Sequence, residues 1–292
     1  MPIYSVCSLL IHADSLSQQF TPFLICNNNS SGKIDLTIEY IPQLYTAENL
    51  QKTVELSYMS VWKEKLPGSH CNWVYILQKN IGMIIVDEDY TQIKVYYNTF
   101  GGCLQGTDIA ELFSPYIQIL LECKLIKSGY AILHSACIQT SGYAYAFTGP
   151  SGIGKSSRAA KWCEHFSAEW ISGDRPAIDP DRGYVYGVPW DGKEAVFRNV
   201  CYPLAAILRV KRSNITAVNE LTEKEKIGLL CEQTVFPMWD PTLALQAMKL
   251  IKQMIRKIPI YEISCDLTDE STYRSKELII NAIKKEGLFH ED

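Results

Sequence analysis

In this chain of 292 residues, the fold of the second half follows from one continuous segment, Tyr143-Ala-Tyr-Ala-Phe-Thr148 and then Gly149-Pro-Ser-Gly-Ile-Gly154-Lys155-Ser156. The first six residues are rich in aromatic and small apolar side chains and predict a buried strand. The next eight match the phosphate-binding pattern G-x-x-x-x-G-K-[ST] at every fixed position. Residues 155–166 then place apolar side chains at helical spacing. Strand, loop and helix in this order are the context in which the pattern binds a nucleotide.

Each fixed position of this loop has a chemical task. The glycines let the backbone turn its N–H groups toward phosphate oxygens. Lys155 adds a mobile positive charge for the β- and γ-phosphates, and Ser156 offers a hydroxyl to Mg²⁺. The sequence therefore predicts that ATP and Mg²⁺ bind here. The predicted nucleotide-binding residues are Gly149, Ser151, Gly152, Ile153, Gly154, Lys155, Ser156 and Ser157.

An acidic residue follows the next predicted strand, residues 168–172, in the sequence Gly173-Asp174-Arg175-Pro176. An acid just beyond the carboxyl end of a strand, beside a phosphate loop, suits Mg²⁺ coordination or proton acceptance from an alcohol. The alternative is an ordinary turn residue before a proline. We expect Asp174 to be catalytic and to share the metal with Ser156.

The segment 186–194 is dense in turn-forming residues and carries charges of both signs. Loops of this kind can close over a nucleotide and exclude water. Trp190, Asp191 and Lys193 are therefore candidates for substrate contact, although Trp190 could instead be a packing anchor. Arg198 is a candidate for neutralising charge in the transition state, with a solvated surface charge as the alternative.

The first hundred residues predict a β-rich domain over 1–103, followed by an α/β domain over 104–292. Alternating or β-rich runs at 33–41, 72–78, 82–86 and 92–97 indicate strands. Thr107 is a plausible cap for a helix over 108–126, and 131–138 predicts one buried strand. Aromatic side chains in the first domain fill a β-core or, alternatively, form a surface on which a peptide docks.

Composition excludes several classes of partner. The formal net charge is −4 and no long basic run occurs, so a nucleic-acid partner is not expected. No run of about 18 apolar residues predicts a membrane span, and the first residues lack the pattern of a secretory signal. We therefore expect a cytoplasmic protein without a membrane partner, and the sequence leaves the oligomeric state open.

Four features in order resemble the HPr serine kinase/phosphorylase family. They are Leu133-His134-Ser-Ala, the phosphate loop, Ser172-Gly-Asp174-Arg-Pro176, and Gly187-Val-Pro-Trp-Asp-Gly-Lys193. The resemblance covers residues 130–200. It implies a P-loop kinase core with a mixed sheet, as in phosphoenolpyruvate carboxykinases, and phosphate transfer to a serine hydroxyl. It also implies that His134 lies beside Asp174 as a catalytic residue.

Departures from the family refine this expectation. The regulatory enzyme usually has two adjacent acids where this chain has Gly173-Asp174, and an acid where this chain has Pro150. Its later glycine-rich signature is absent, so phosphorolysis and HPr itself as substrate are not expected. The compact Pro-Trp-x-Gly-Lys block looks closer to peptide-tailoring relatives, including lasso peptide precursor kinases.

The chain is thus predicted to be an ATP-dependent kinase acting on a serine or threonine hydroxyl of a peptide or protein. The alternatives are a kinase of small alcohols or free amino acids, and an ATPase or pseudokinase.

Overall fold

A computed structural model describes residues 1–25, 32–67, 70–78, 81–98 and 108–285. The chain is an α/β protein with mixed sheets, and it forms two compact units. The first unit comprises Met1–Lys127 and Pro237–Pro241, and the second comprises Ser128–Phe236 and Thr242–Asp292.

The first unit is built on an eight-stranded sheet in the order β1-β2-β3-β8-β7-β6-β5-β4. β3 is parallel to both of its neighbours, β2 and β8, and all the other neighbouring strands are antiparallel. The strands are β1 (Ile3–Val6), β2 (Leu9–Ala13), β3 (Leu36–Ile41), β4 (Leu50–Glu55), β5 (Met59–Lys65), β6 (Cys71–Leu77), β7 (Gly82–Asp87) and β8 (Gln92–Tyr97), with a 3₁₀ turn at Gln18–Phe23 and helix α1 at Ile109–Lys127.

Helix α1 belongs to the first unit, whereas the predicted boundary at residue 104 assigned it to the second. The reason is its packing: the fully buried ring of Phe113 lies 6.4 Å from the ring of Tyr40 and 6.3 Å from that of Tyr97. At its other end, Lys127 donates a hydrogen bond of 2.8 Å to the carbonyl of Glu88. The predicted cap Thr107 lies outside the described residues.

The five residues Pro237–Pro241 return to the first unit from the middle of the second. The indole of Trp239 donates to the hydroxyl of Tyr75 at 3.1 Å, and the hydroxyl of Tyr90 donates to the carboxylate of Asp240 at 3.4 Å. Because Tyr75 and Tyr90 are fully buried, these bonds satisfy polar groups that have no access to water.

In its described residues, the second unit has a nine-stranded mixed sheet with four helices. Its main path runs β12-β10-β11-β15-β14-β13-β9, and β17 joins β15 to β16. None of the helices in the described part of the chain is both long and apolar enough to cross a membrane. The elements are β9 (Ala131–Ile132), β10 (Ser135–Thr140), β11 (Tyr143–Thr148), α2 (Lys155–Phe166), β12 (Glu169–Ser172), β13 (Ala177–Asp179), β14 (Tyr184–Tyr186), β15 (Cys201–Arg212), β16 (Ala217–Glu220), α3 (Glu223–Gln233), α4 (Pro241–Lys257), β17 (Ile260–Cys265) and α5 (Asp269–Lys285).

Strand β15 is the centre of this sheet, with β11 and β17 paired parallel to it on either side. The apolar run from Leu204 to Leu208 is buried almost completely. Trp162 of α2 packs its fully buried ring against Tyr145 and Phe147 of β11, at centroid distances of 5.1 and 5.4 Å. This packing fixes α2 against the sheet.

The strand directions bring several loop segments to one edge of the sheet. β10 is antiparallel to both β11 and β12, so these two strands run the same way as β15. The carboxyl ends of β11, β12 and β15 and the amino end of β10 therefore share one edge. In parallel sheets, ligand sites form at this edge.

Candidate functional site

The phosphate loop connects β11 to α2 with the predicted boundaries. Gly149, Gly152 and Gly154 have φ values of 141°, 77° and 110°, in the region that side chains disfavour. Gly154 is the residue that caps α2 and, having no side chain, makes no capping bond to the first N–H groups of the helix. The glycines of the pattern are thus required by backbone geometry, and the start of α2 is open to an anion.

Lys155 lies against the beginning of the loop. Its ammonium group donates hydrogen bonds of 2.9 Å to the carbonyl of Gly149 and 3.4 Å to that of Pro150. The residue is only 8% exposed, and burial lowers the pKa of Lys155, whereas the negative charge of Asp174 opposes this shift. The lysine and the acid therefore interact electrostatically at the same edge of the sheet.

His134 and Asp174 lie on two antiparallel segments that face each other. The N–H of Leu133 donates to the Pro176 carbonyl at 3.3 Å, and the N–H of Ser135 donates to the Asp174 carbonyl at 2.7 Å. Pairing on both sides, between β9 and β13 and between β10 and β12, keeps the same register as far as the Cys137–Ser172 pair, after which the register shifts. The predicted single strand 131–138 is thus divided at His134, although the ladder continues past it.

The Asp174 carboxylate is held between two basic side chains. Its Oδ1 lies 3.4 Å from His134 Nε2, and its Oδ2 lies 3.2 Å from Arg175 Nε, which donates to it. Burial and the charges of Lys155 and Arg175 lower the pKa of His134 from 6.5, against the opposing effect of Asp174. This lowered pKa favours the neutral imidazole. Sequence reasoning did not identify Arg175 as part of the site.

Asp191 lies against Gly173, the residue before the acid. A Cβ atom at position 173 would be 2.5 Å from Asp191 Oδ1 and 2.8 Å from Glu194 Oε2. The other oxygen of Asp191 accepts the N–H of Val196, and burial raises the pKa of Asp191. Carboxylates from the loop after β14 thus fill the space of a side chain at 173, where the resembled family has an additional acid.

The other predicted substrate-binding residues differ in placement. Trp190 is 1% exposed and its indole donates to the Arg175 carbonyl at 3.0 Å, so it supports the turn that follows Asp174. Lys193 is exposed. The structure does not bring Arg198 to Asp174. Its guanidinium donates to Trp170 O at 2.8 Å and Glu169 Oε2 at 3.1 Å, at the start of β12, whereas Asp174 lies beyond the other end of that strand.

The oxygen ligands available here suit Mg²⁺. Ser156 is the second residue of α2 and is partly buried, while Ser151 and Ser157 are exposed. In the described ranges, no group of three His, Cys, Asp or Glu side chains could hold a metal ion. Mg²⁺ keeps several waters and is bound through one or two protein oxygens and substrate phosphates. Ser156 and Asp174 carry oxygen atoms of the kind that Mg²⁺ prefers.

Comparison with known proteins assigns no family to this chain. No protein-family model matches the sequence, and no curated protein matches it significantly. The kinase resemblance accordingly stays a prediction.

We predict that Gly173→Ala destabilises the second unit by about 1–3 kcal/mol, the usual cost of overpacking. The new methyl group displaces Asp191, so the N–H of Val196 loses its acceptor. Thermal unfolding of the purified variant measures the effect. Gly192→Ala is the matched control, because a Cβ there meets only ordinary contacts of 3.5 and 3.6 Å. Equal stability of the two variants would contradict the close packing at Gly173.

Proposed function

We propose that this protein is an ATP-dependent kinase that transfers the γ-phosphate to a serine or threonine hydroxyl of a peptide or protein. One observation carries the proposal: the glycine-rich loop with Lys155 lies at the same sheet edge as the pair formed by His134 and Asp174. A polyphosphate site and a group able to accept a proton are the two components that phosphoryl transfer requires. The proposed location is the cytoplasm, where ATP and Mg²⁺ are available.

The loop would hold the nucleotide through charge and backbone donors. Free N–H groups at the start of α2 and the dipole of the helix favour an anion. Lys155 would exchange its bonds to the Gly149 and Pro150 carbonyls for bonds to phosphate oxygens. Both partners would then be charged, whereas the carbonyls that Lys155 leaves are neutral. When bound, Mg²⁺ would neutralise negative charge on the transferred group, with Ser156 and Asp174 as its protein ligands.

Asp174 would orient the acceptor hydroxyl and take its proton. The hydroxyl oxygen forms a bond to the γ-phosphorus while the bond from that phosphorus to the β–γ bridging oxygen breaks, and ADP leaves. The proton passes to Asp174 and then to water. Arg175 and neutral His134 hold the two oxygens of the carboxylate in place. A neutral imidazole leaves the carboxylate more basic than a charged one would.

The resemblance to peptide-tailoring kinases supports a peptide acceptor, since the proposed chemistry by itself requires only an alcohol. The same chemistry would serve a small alcohol or a free amino acid. Incubation with γ-labelled ATP and a peptide library in which the acceptor is Ser, Thr or Ala distinguishes these cases. Label in Ser or Thr peptides supports the proposal, and release of inorganic phosphate alone supports an ATPase.

We predict that ATP with Mg²⁺ raises the melting temperature by several degrees, because saturation at 100 times Kd contributes about 2.7 kcal/mol. Lys155→Ala should abolish this rise, as it removes the charge at the phosphates. Lys161→Ala, on the same helix but paired with Glu164 and Asp269, is the control and should keep it. An equal rise in wild type and Lys155→Ala would reject the assignment of the loop.

Asp174→Asn should leave ATP binding nearly unchanged and reduce transfer to peptide by about 10²–10⁴-fold, the usual contribution of a general base. The amide keeps the shape of the side chain and an oxygen for Mg²⁺, but it is a much weaker proton acceptor. Incorporation of γ-label and ATP affinity are measured on the same protein. Asp181→Asn removes a carboxylate that pairs with Lys257 and serves as control. Full transfer by Asp174→Asn would show that another group accepts the proton.

Transfer should also fall as the pH is lowered below 6.5, because the pKa of His134 lies below that ordinary value. Protonated His134 would pair with Asp174 and reduce its basicity. In a profile of kcat/KM against pH, His134→Gln should lose this acidic decline. His165→Gln, which removes a histidine that contacts Asp269, should retain it. A wild-type profile that is flat below pH 6.5 would show that protonation of His134 does not affect the transfer step.

A further inference from the structure

Arg212 lies beside the phosphate loop at the end of β15. Thr148 of β11 pairs with Arg209, so β15 continues past the point where β11 turns into the loop. The guanidinium of Arg212 crosses to this loop. Its Nε donates to the carbonyl of Ile153 at 3.1 Å, and its Nη2 donates to the carbonyl of Gly152 at 2.5 Å. One planar side chain thus holds two successive peptide groups.

These two carbonyls determine where the adjacent N–H groups point. In a planar trans peptide the C=O and N–H bonds point to opposite sides, and the described residues contain no cis peptide bond. The Gly152 carbonyl shares its peptide with the N–H of Ile153, and the Ile153 carbonyl shares its peptide with the N–H of Gly154. Arg212 therefore turns both N–H groups away from itself. The Ile153 N–H indeed donates back across the loop, to Pro150 O at 3.2 Å.

Lys155 and Arg212 bond to different backbone carbonyls of the loop. Lys155 bonds to the carbonyls of Gly149 and Pro150, and Arg212 bonds to those of Gly152 and Ile153. The neighbouring charges of β15 behave differently, since Arg209 and Lys211 both pair with Glu262. Arg212 has no carboxylate within ion-pair distance in the part of the chain that the structure describes. Its charge therefore adds to the positive potential at the loop.

We propose that Arg212 is a positioning residue of the phosphate loop: by fixing the carbonyls of Gly152 and Ile153, it keeps the Ile153 N–H in its bond to Pro150 and the Gly154 N–H directed at the phosphates. This inference rests on the proposed function. Lys155 would leave its carbonyls when the nucleotide enters, whereas Arg212 would keep its own. The role requires the fork of the guanidinium, because a lysine ammonium is a single point charge without fixed donor directions.

Calorimetric titration with ATP and Mg²⁺ tests the proposal on the full chain. Arg212→Gln and Arg212→Lys should each raise Kd about tenfold, which corresponds to about 1.4 kcal/mol. Lys211→Gln removes an equal charge from the preceding, exposed position of β15 and should bind ATP as the wild type does. Amide hydrogen exchange of Ile153 and Gly154 in the nucleotide-free protein should be faster in both Arg212 variants, with an unchanged melting temperature.

The outcomes separate this inference from the proposed function. Wild-type affinity in Arg212→Lys, together with weak binding by Arg212→Gln, would show that charge alone suffices and would overturn the positioning role. Wild-type affinity in both variants, with loss of binding in Lys155→Ala, would overturn the inference and leave the nucleotide site intact. Absence of ATP binding by the wild type would overturn both. A lowered melting temperature without faster exchange at Ile153 and Gly154 would indicate a structural role only.

Discussion

Backbone hydrogen bonds between the segment carrying His134 and the segment carrying Asp174 hold the candidate site together. The bonds from Leu133 to Pro176 and from Ser135 to Asp174 continue one antiparallel register through a stretch where regular strand is interrupted. The side chains that face each other here are therefore fixed by main-chain pairing rather than by their own attraction. A histidine whose pKa is lowered by burial can remain next to a carboxylate under such a constraint, because its position does not depend on carrying a charge.

The position of the phosphate loop is set by the same sheet, through the pairing of β11 with β10. β10 pairs with both β12 and β11, so it connects the Asp174 segment to the strand that enters the loop. Trp162 anchors the following helix to β11, and Gly154 provides the backbone turn into that helix. Displacement of β10 would thus change the separation of Lys155 from Asp174, and with it the geometry proposed for transfer.

Features encoded by local pattern could be predicted from the sequence. β11, the loop and α2 have the predicted bounds, since strand alternation, glycine positions and helical spacing all lie within 24 residues. Asp174 follows the carboxyl end of β12, a position that could be predicted because a strand end is visible in sequence. β15 was not predicted, since its continuous apolar run, buried on both faces, lacks the alternation of a half-exposed strand. Without β15, Arg212 could not be recognised as a neighbour of the loop.

Contacts between residues far apart in the chain could not be predicted from local sequence patterns. Nothing in the sequence places Asp191 against Gly173, or pairs Arg198 with Glu169, because both depend on how loops pack. Helix α1 shows the same limit: its apolar spacing predicts a helix but does not identify the sheet that it covers. Trp190 was considered both as a substrate contact and as a packing anchor, and its burial agrees with the second.

Because Pro237–Pro241 returns to the first unit, that unit cannot be moved to another protein as one continuous segment. Domains joined by a single linker can be recombined between genes as intact blocks. Here the bonds of Trp239 to Tyr75 and of Tyr90 to Asp240 rely on residues encoded between α3 and α4. The continuous segment 1–127 transplanted alone would lack Trp239 and Asp240, and the buried hydroxyls of Tyr75 and Tyr90 would lose these partners.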